Sequence, residues 1–279
     1  MKQTRTEGET IMSKFILVVF PNEEKAYEGT RALHQLHNEG SISLYGTTVI
    51  KREEDGSLSV KQREDQGPVG MGVGALTGGL IGLLGGPVGG AIGFGAGTLL
   101  GSLQDLYDLG VDADFINEVS QKFAPGKTAL VAEVSEDWVT PLDTRMEAIG
   151  GGTVVREWRD DFIHERTQRR IDALKAELAR RKEEHAKTKA DMQAKASKRV
   201  DEVREKLKKD AEKARTRLEQ YKKEGDAKIA KLQEQASKTN ADAKAKIDKR
   251  IAEMRANHEK RTGKLKQSLD QTQEAVKAA

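Results

Sequence analysis

Between Gly67 and Gly101 the chain carries no charged residue, although 33% of its 279 residues are Asp, Glu, Lys or Arg. Glycine recurs at every fourth position, as Gly70, Gly74, Gly78, Gly82 and Gly86, and a second series continues through Gly89, Gly93, Gly97 and Gly101. Residues four apart share one helix face. The remaining faces carry Leu76, Leu80, Ile81, Leu83, Leu84, Val88, Ile92, Phe94, Leu99 and Leu100. In water each glycine costs a helix about 1 kcal/mol against alanine. In lipid the backbone must bond to itself, and glycine stripes let helices approach closely. Pro87, after Gly85 and Gly86, fits the first turn of a new helix. The stretch therefore reads as a hairpin of two apolar legs, each of roughly 17 residues, near the lower limit for a bilayer crossing. A hairpin buried inside a water-soluble oligomer is the competing reading. A phosphate-binding loop does not fit, because the run contains no GxxxxGK and no Lys or Arg.

The overall charge of +3 is unevenly placed: residues 1–160 hold 14 basic and 23 acidic side chains, residues 161–279 hold 34 and 22. There is no cysteine, which excludes disulfides and thiolate chemistry. The opening residues are polar, residues 1–12 read as a flexible leader, and Met12 is an alternative start to Met1.

Around the apolar stretch the chain has α+β patterning. Phe15–Phe20 is a dense β-branched run ended by Pro21, and Asn22 is placed to cap a helix that stops at Gly40. Ile42–Lys51 and Ser57–Gln62 read as strands joined by a turn at Asp55-Gly56. Past the stretch, Asp112 or Asp114 caps a helix containing Phe115, Ile116, Val119 and Phe123. Thr128–Val134 is a strand, Thr140-Pro141 begins a helix, and Thr153–Trp158 is the last strand. Without the insertion the first six elements follow the β-α-β-β-α-β order of a ferredoxin-like domain. The expected division is 13–66 and 105–158 for that domain, 67–104 for the hairpin and 159–279 for a tail. A domain split by the hairpin places both ends of the hairpin on one side of a membrane.

The tail has no proline, and its apolar positions repeat every eleven residues, as in Leu207, Leu218, Ile229 and then Ile251. The predicted seam comprises Val203, Leu207, Leu218, Ile229, Leu232, Ile247, Ile251, Met254, Leu265 and Leu269, weakened at Gly225, Asn240, His258 and Gly263. An eleven-residue repeat gives a nearly straight seam. If unbroken, the helix would be on the order of 180 Å long at ~1.5 Å per residue. Self-association as a coiled coil is the first reading, a helix lying on anionic lipid the second, and a solvated tail the third.

The SKFILVVF strand, the glycine stretch running into LLGSLQDLYDLGVDADFINEV, the APGKTALVAEV strand and the MEAIGGGTVVRE ending together resemble a family of bacterial and archaeal predicted membrane proteins, domain of unknown function twelve sixty-nine. The resemblance runs over Ser13–Trp158 and leaves the tail uncovered. It implies membrane association and supplies no catalytic residues.

No catalytic or metal motif appears. His34 and His37 share a helix face without a third ligand nearby. The pairs Glu53-Glu54 and Asp160-Asp161 fit solvated turns. The mixed charge of the tail does not match a nucleic-acid binder. Trp138 and Trp158 fit core packing better than interfacial anchoring. The sequence thus predicts a non-enzymatic scaffold without cofactor, metal or small-molecule substrate. Its partners are the bilayer and copies of itself, and its location is the cytoplasmic face of the cytoplasmic membrane. A pore lined by the hairpins and a water-soluble scaffold are the alternatives.

Overall fold

The computed structural model describes residues 13–64, 67–85, 111–158, 171–183 and 193–277. They form two compact units, one of residues 1–163 with 224–256, the other of residues 164–223 with 257–279.

The first unit is α+β. Its strands are β1 (Lys14–Phe20), β2 (Ile42–Arg52), β3 (Leu58–Glu64), β4 (Thr128–Glu136) and β5 (Val155–Trp158). They make one antiparallel sheet in the order β3-β2-β4-β1-β5. The helices are α1 (Glu23–Asn38), α2 (Met71–Leu84), α3 (Ala113–Lys122) and α4 (Thr140–Ala148). Asn22 caps α1 by accepting from the Lys25 amide at 3.0 Å, and Asp112 caps α3 by accepting from Phe115 at 2.7 Å. Of the two caps the sequence allowed for α3, Asp112 is therefore the one used.

Every residue of β4 is buried because the sheet is covered on both faces. Leu130, Ala132 and Val134 face α1 and α4, packing with Ile16, Val18, Leu33, Leu36, Leu142 and Met146. Ala129 and Val131 face α2 and α3, packing with Phe15, Leu17, Val73, Leu76, Leu80, Phe115 and Val119.

The sheet order revises the expected assignment. β4 lies between β1 and β2, and β1 lies between β4 and β5. The interlocked β-α-β units are thus β1-α1-β2 and β4-α4-β5, while β3, α2 and α3 are inserted between them. Sequence order alone counted β3 and α3 among the six, because it cannot show that β3 is an outer strand.

The predicted first leg of the hairpin also differs. α2 spans 14 residues and lies on the sheet through Val73, Leu76, Leu80 and Ile81. No helix among the described residues is long and apolar enough to cross a membrane. The second leg lies outside the described residues.

The tail is not one unbroken helix. α5 covers residues 171–183, α6 is Gln193–Lys238 and α7 is Ala241–Lys277. The chain reverses at Asn240, whose side chain accepts from the Ala243 amide at 2.9 Å and caps α7. Gly225, His258 and Gly263 remain helical. Asn240→Ala is therefore expected to lower stability by about 1 kcal/mol, as loss of an N-cap does, whereas Gly263→Ala is expected to raise it; denaturant unfolding of each variant is the check.

In the second unit, Ile171 joins Ala214, Leu218, Leu265 and Leu269 in one cluster, and Leu178 joins Val200, Val203 and Leu207 in another. Tyr221 and His258 stack there at 5.2 Å. The expected boundary at residue 159 does not hold for the tip of the α6–α7 hairpin, which packs as part of the first unit.

Candidate functional site: a buried polar latch

The latch begins at an irregularity in β2. Leu44 pairs with Val134 and Gly46 with Glu133, so Tyr45 is an extra residue in the ladder. Such a bulge puts an additional side chain on one face. Tyr45 packs there among Leu232, Ala236, Ile247 and Ile251, with Val69, Ile229 and Met254 at the margin. It is fully buried, and its hydroxyl lies 3.0 Å from Ser135 Oγ.

Polar side chains surround this apolar contact. Lys228 of α6 is paired with Glu133 of β4 and, at 2.9 Å, with Glu224 one turn away. Its ammonium also lies 5.2 Å from the centre of the Tyr45 ring. Ser43 Oγ donates to Gln235 Oε1 at 2.7 Å. The Gln235 amide nitrogen in turn donates to the carbonyls of His37 at 2.6 Å and Ile42 at 2.8 Å. Arg250 of α7 reaches the Ser41 carbonyl at 3.2 Å, Ser43 Oγ at 3.0 Å and Asp137 Oδ2 at 2.7 Å. Arg250, Lys228, Glu133, Glu224 and Gln235 are all buried.

Buried charges stay ionised only when paired and hydrogen-bonded. Truncating one partner leaves the other uncompensated, yet a well-packed apolar replacement of the whole set is often as stable or more so. The latch is therefore expected to fix where the hairpin sits more than to add net stability. The close approach at its rim requires Gly40. That residue has φ 75°, and a Cβ there would lie 2.5 Å from the Cβ of Ala243.

A second charged group lies on the opposite face of β4. The buried Glu136 carboxylate accepts from Arg156 at 2.7 Å and from Lys14 at 3.2 Å, and Arg156 also reaches Asp143 at 2.5 Å. Lys14 Nζ stands 4.3 Å from the ring centre of Trp158.

The predicted seam residues are divided between these sites. Leu232, Ile247, Ile251, Ile229 and Met254 surround Tyr45, while Val203, Leu207, Leu218, Leu265 and Leu269 pack in the second unit. Of the stripe, Gly70 starts α2 with its Cα 3.4 Å from where a Cβ on Gly46 would lie. A Cβ at Gly74 or Gly78 would meet nothing within 4 Å, and Gly82 is half-buried near the end of α2. Gly86, Gly89, Gly93, Gly97 and Gly101 lie outside the described residues. Residues 72–170 match the family "Protein of unknown function (DUF1269)". The DUF1269 match covers roughly a third of the chain and bears out the resemblance, while α6 and α7 lie beyond it. Comparison with curated proteins gave no match, and comparison with solved structures gave none.

The other singled-out residues have structural partners. His34 Nε2 lies 2.6 Å from Glu64, whereas His37 Nδ1 accepts the Leu44 amide at 3.2 Å, so the two rings serve different partners. Glu53 accepts from Ser59 at 2.7 Å and pairs with Lys61 at 3.0 Å; the serine bond, then the lysine, draw its carboxyl down to about 2. Among the described residues no His, Asp and Glu cluster suited to a metal ion occurs. Trp138 departs from the expected core role, being 74% exposed. It lies two residues past the end of β4, between that strand and α4.

Glu157 titrates unusually. Burial, and the Asp112 carboxyl beside it, push its pKa from 4.5 up to about 8. The folded chain then holds a proton that the unfolded chain releases between those values, so stability falls as pH rises from about 4.5 to 8. Thermal midpoints are expected to decline across that window, and Glu157→Gln should flatten the decline. An unchanged slope in that variant would remove Glu157 as its source.

Proposed function

We propose that this chain is a non-enzymatic, membrane-associated assembly protein. A ferredoxin-like α/β domain carries the glycine-striped apolar stretch and is covered on part of one face by its own helical hairpin. The domain and the hairpin lie on the cytoplasmic side of the cytoplasmic membrane, and copies meet through glycine faces. The observation carrying this reading is the charge-free run from Gly67 to Gly101, set inside a domain whose two parts share one sheet. The open positions at Gly74 and Gly78 support close helix contacts on that side of α2. The apolar seam supports assembly less, because its residues already pack within the chain.

Flotation of the full chain with phosphatidylcholine–phosphatidylglycerol vesicles is the test, and the chain is expected to float. Gly74→Leu with Gly78→Leu places side chains where an added Cβ meets nothing within 4 Å, and should leave flotation intact while reducing oligomer size. A second reading is a water-soluble scaffold whose glycine faces meet between copies, and the packing of α2 on the sheet favours it. It predicts no flotation and an oligomer whose size is indifferent to detergent.

A further inference from the structure

Both tryptophans of the chain stand at one end of the sheet. Trp158 closes β5 and pairs with Lys14, which pairs on its other side with Val134. Trp138 lies two residues beyond Glu136, the end of β4. Only β1 separates β4 from β5, so these strands are roughly 10 Å apart. Trp138 is 74% exposed, Val139 44% and Trp158 40%.

The chain returns from the charge-free stretch at this same end, having entered it nearer the middle of the sheet. On the way in, β3 ends at the middle of β2, where Glu64 pairs with Thr47. Val69 packs against Tyr45, and Gly70 backs onto Gly46. Past the stretch, Asp112 lies against Glu157, the neighbour of Trp158. An indole combines a large apolar ring with one N–H donor, which suits the boundary between lipid chains and water.

We infer that this end of the sheet is the surface the α/β domain turns to a lipid bilayer, with Trp138, Val139 and Trp158 at headgroup level. The inference rests on the membrane reading above. Continuity with the charge-free stretch selects lipid over a protein partner.

The chain has only 2 tryptophans, so its own fluorescence reports on both. Trp158→Phe isolates Trp138, and Trp138→Phe isolates Trp158. Each full-length variant is mixed with phosphatidylcholine–phosphatidylglycerol vesicles, and emission, acrylamide quenching and flotation are measured together. Circular dichroism checks that the fold is kept. Each emission maximum should move to the blue by several nanometres, quenching should fall several-fold, and Trp138→Ala should lower the floated fraction several-fold. A chain that floats with unchanged emission and quenching overturns this inference and leaves membrane association standing. A chain that does not float overturns both. A blue shift that follows protein concentration without vesicles makes the rim a contact between copies, and also overturns the inference.

Discussion

Replacing Lys228 by Met is expected to destabilise the protein by about 3–5 kcal/mol, the range for breaking a buried ion pair from one side. The lysine is shared by two buried carboxylates, Glu133 and Glu224. Without it, Glu133 and Glu224 both lose the buried ammonium they share. A loss of that size is a large part of a typical domain's 5–15 kcal/mol. The combined replacement of Glu133 and Glu224 by Leu with Lys228 by Met removes all three charges together. It should restore stability to near the parent value or above it. Denaturant unfolding of the single and triple variants reads both effects. A triple variant as weak as Lys228→Met would mean that the charges contribute through geometry the apolar set cannot reproduce.

Tyr45→Ala is expected to cost about 3–5 kcal/mol, as aromatic-to-alanine changes in cores do. Tyr45 is the contact that the hairpin closes over, with Leu232, Ile247 and Ile251 around it. Removing its ring opens a cavity between β2 and the hairpin, so the hairpin tip should also become more sensitive to protease. Tyr45→Phe keeps the ring packing and removes the hydroxyl with its contact to Ser135, so its effect should be nearer 1 kcal/mol. Equal losses in the two variants would place the importance of Tyr45 in the hydroxyl and not in the packing.

Local chemistry made most elements legible. Phe15–Phe20, the Asn22 cap and Gly40 fix β1 and α1, because each signal acts within a few residues. The same holds for Asp112 and Thr140-Pro141. The eleven-residue seam runs along α6 and α7 through residues that pack within the chain. It did not show that the chain closes on itself, because a seam has the same spacing whether its partner is another copy or the same helix reversed. Asn240 was visible as a weak point, but so were Gly225 and Gly263. Only Asn240 has a side chain able to cap the next helix, which is why the reversal falls there.

The latch was not legible. Tyr45 reaches the hairpin through a bulge, and a strand read with strict alternation gives no sign of one. Lys228, Gln235 and Arg250 sit in a sequence so rich in charge that none stands out. Their role depends on β-sheet partners about a hundred or more residues away. Trp138 misleads for the opposite reason: a large aromatic just past a buried strand suggests core, whereas the connection to α4 leaves it exposed.

The α6–α7 hairpin is held on the sheet of its own chain, and in a chain without cysteine two introduced thiols test this directly. Ser43→Cys and Gln235→Cys place two thiols where the parent side chains are hydrogen-bonded at 2.7 Å. A short bismaleimide is added to the dilute full-length variant, and the products are separated by size and mapped by mass spectrometry. A crosslink within one chain is expected, formed to the same extent at every dilution. A crosslink that appears only between chains, or vanishes on dilution, would contradict it.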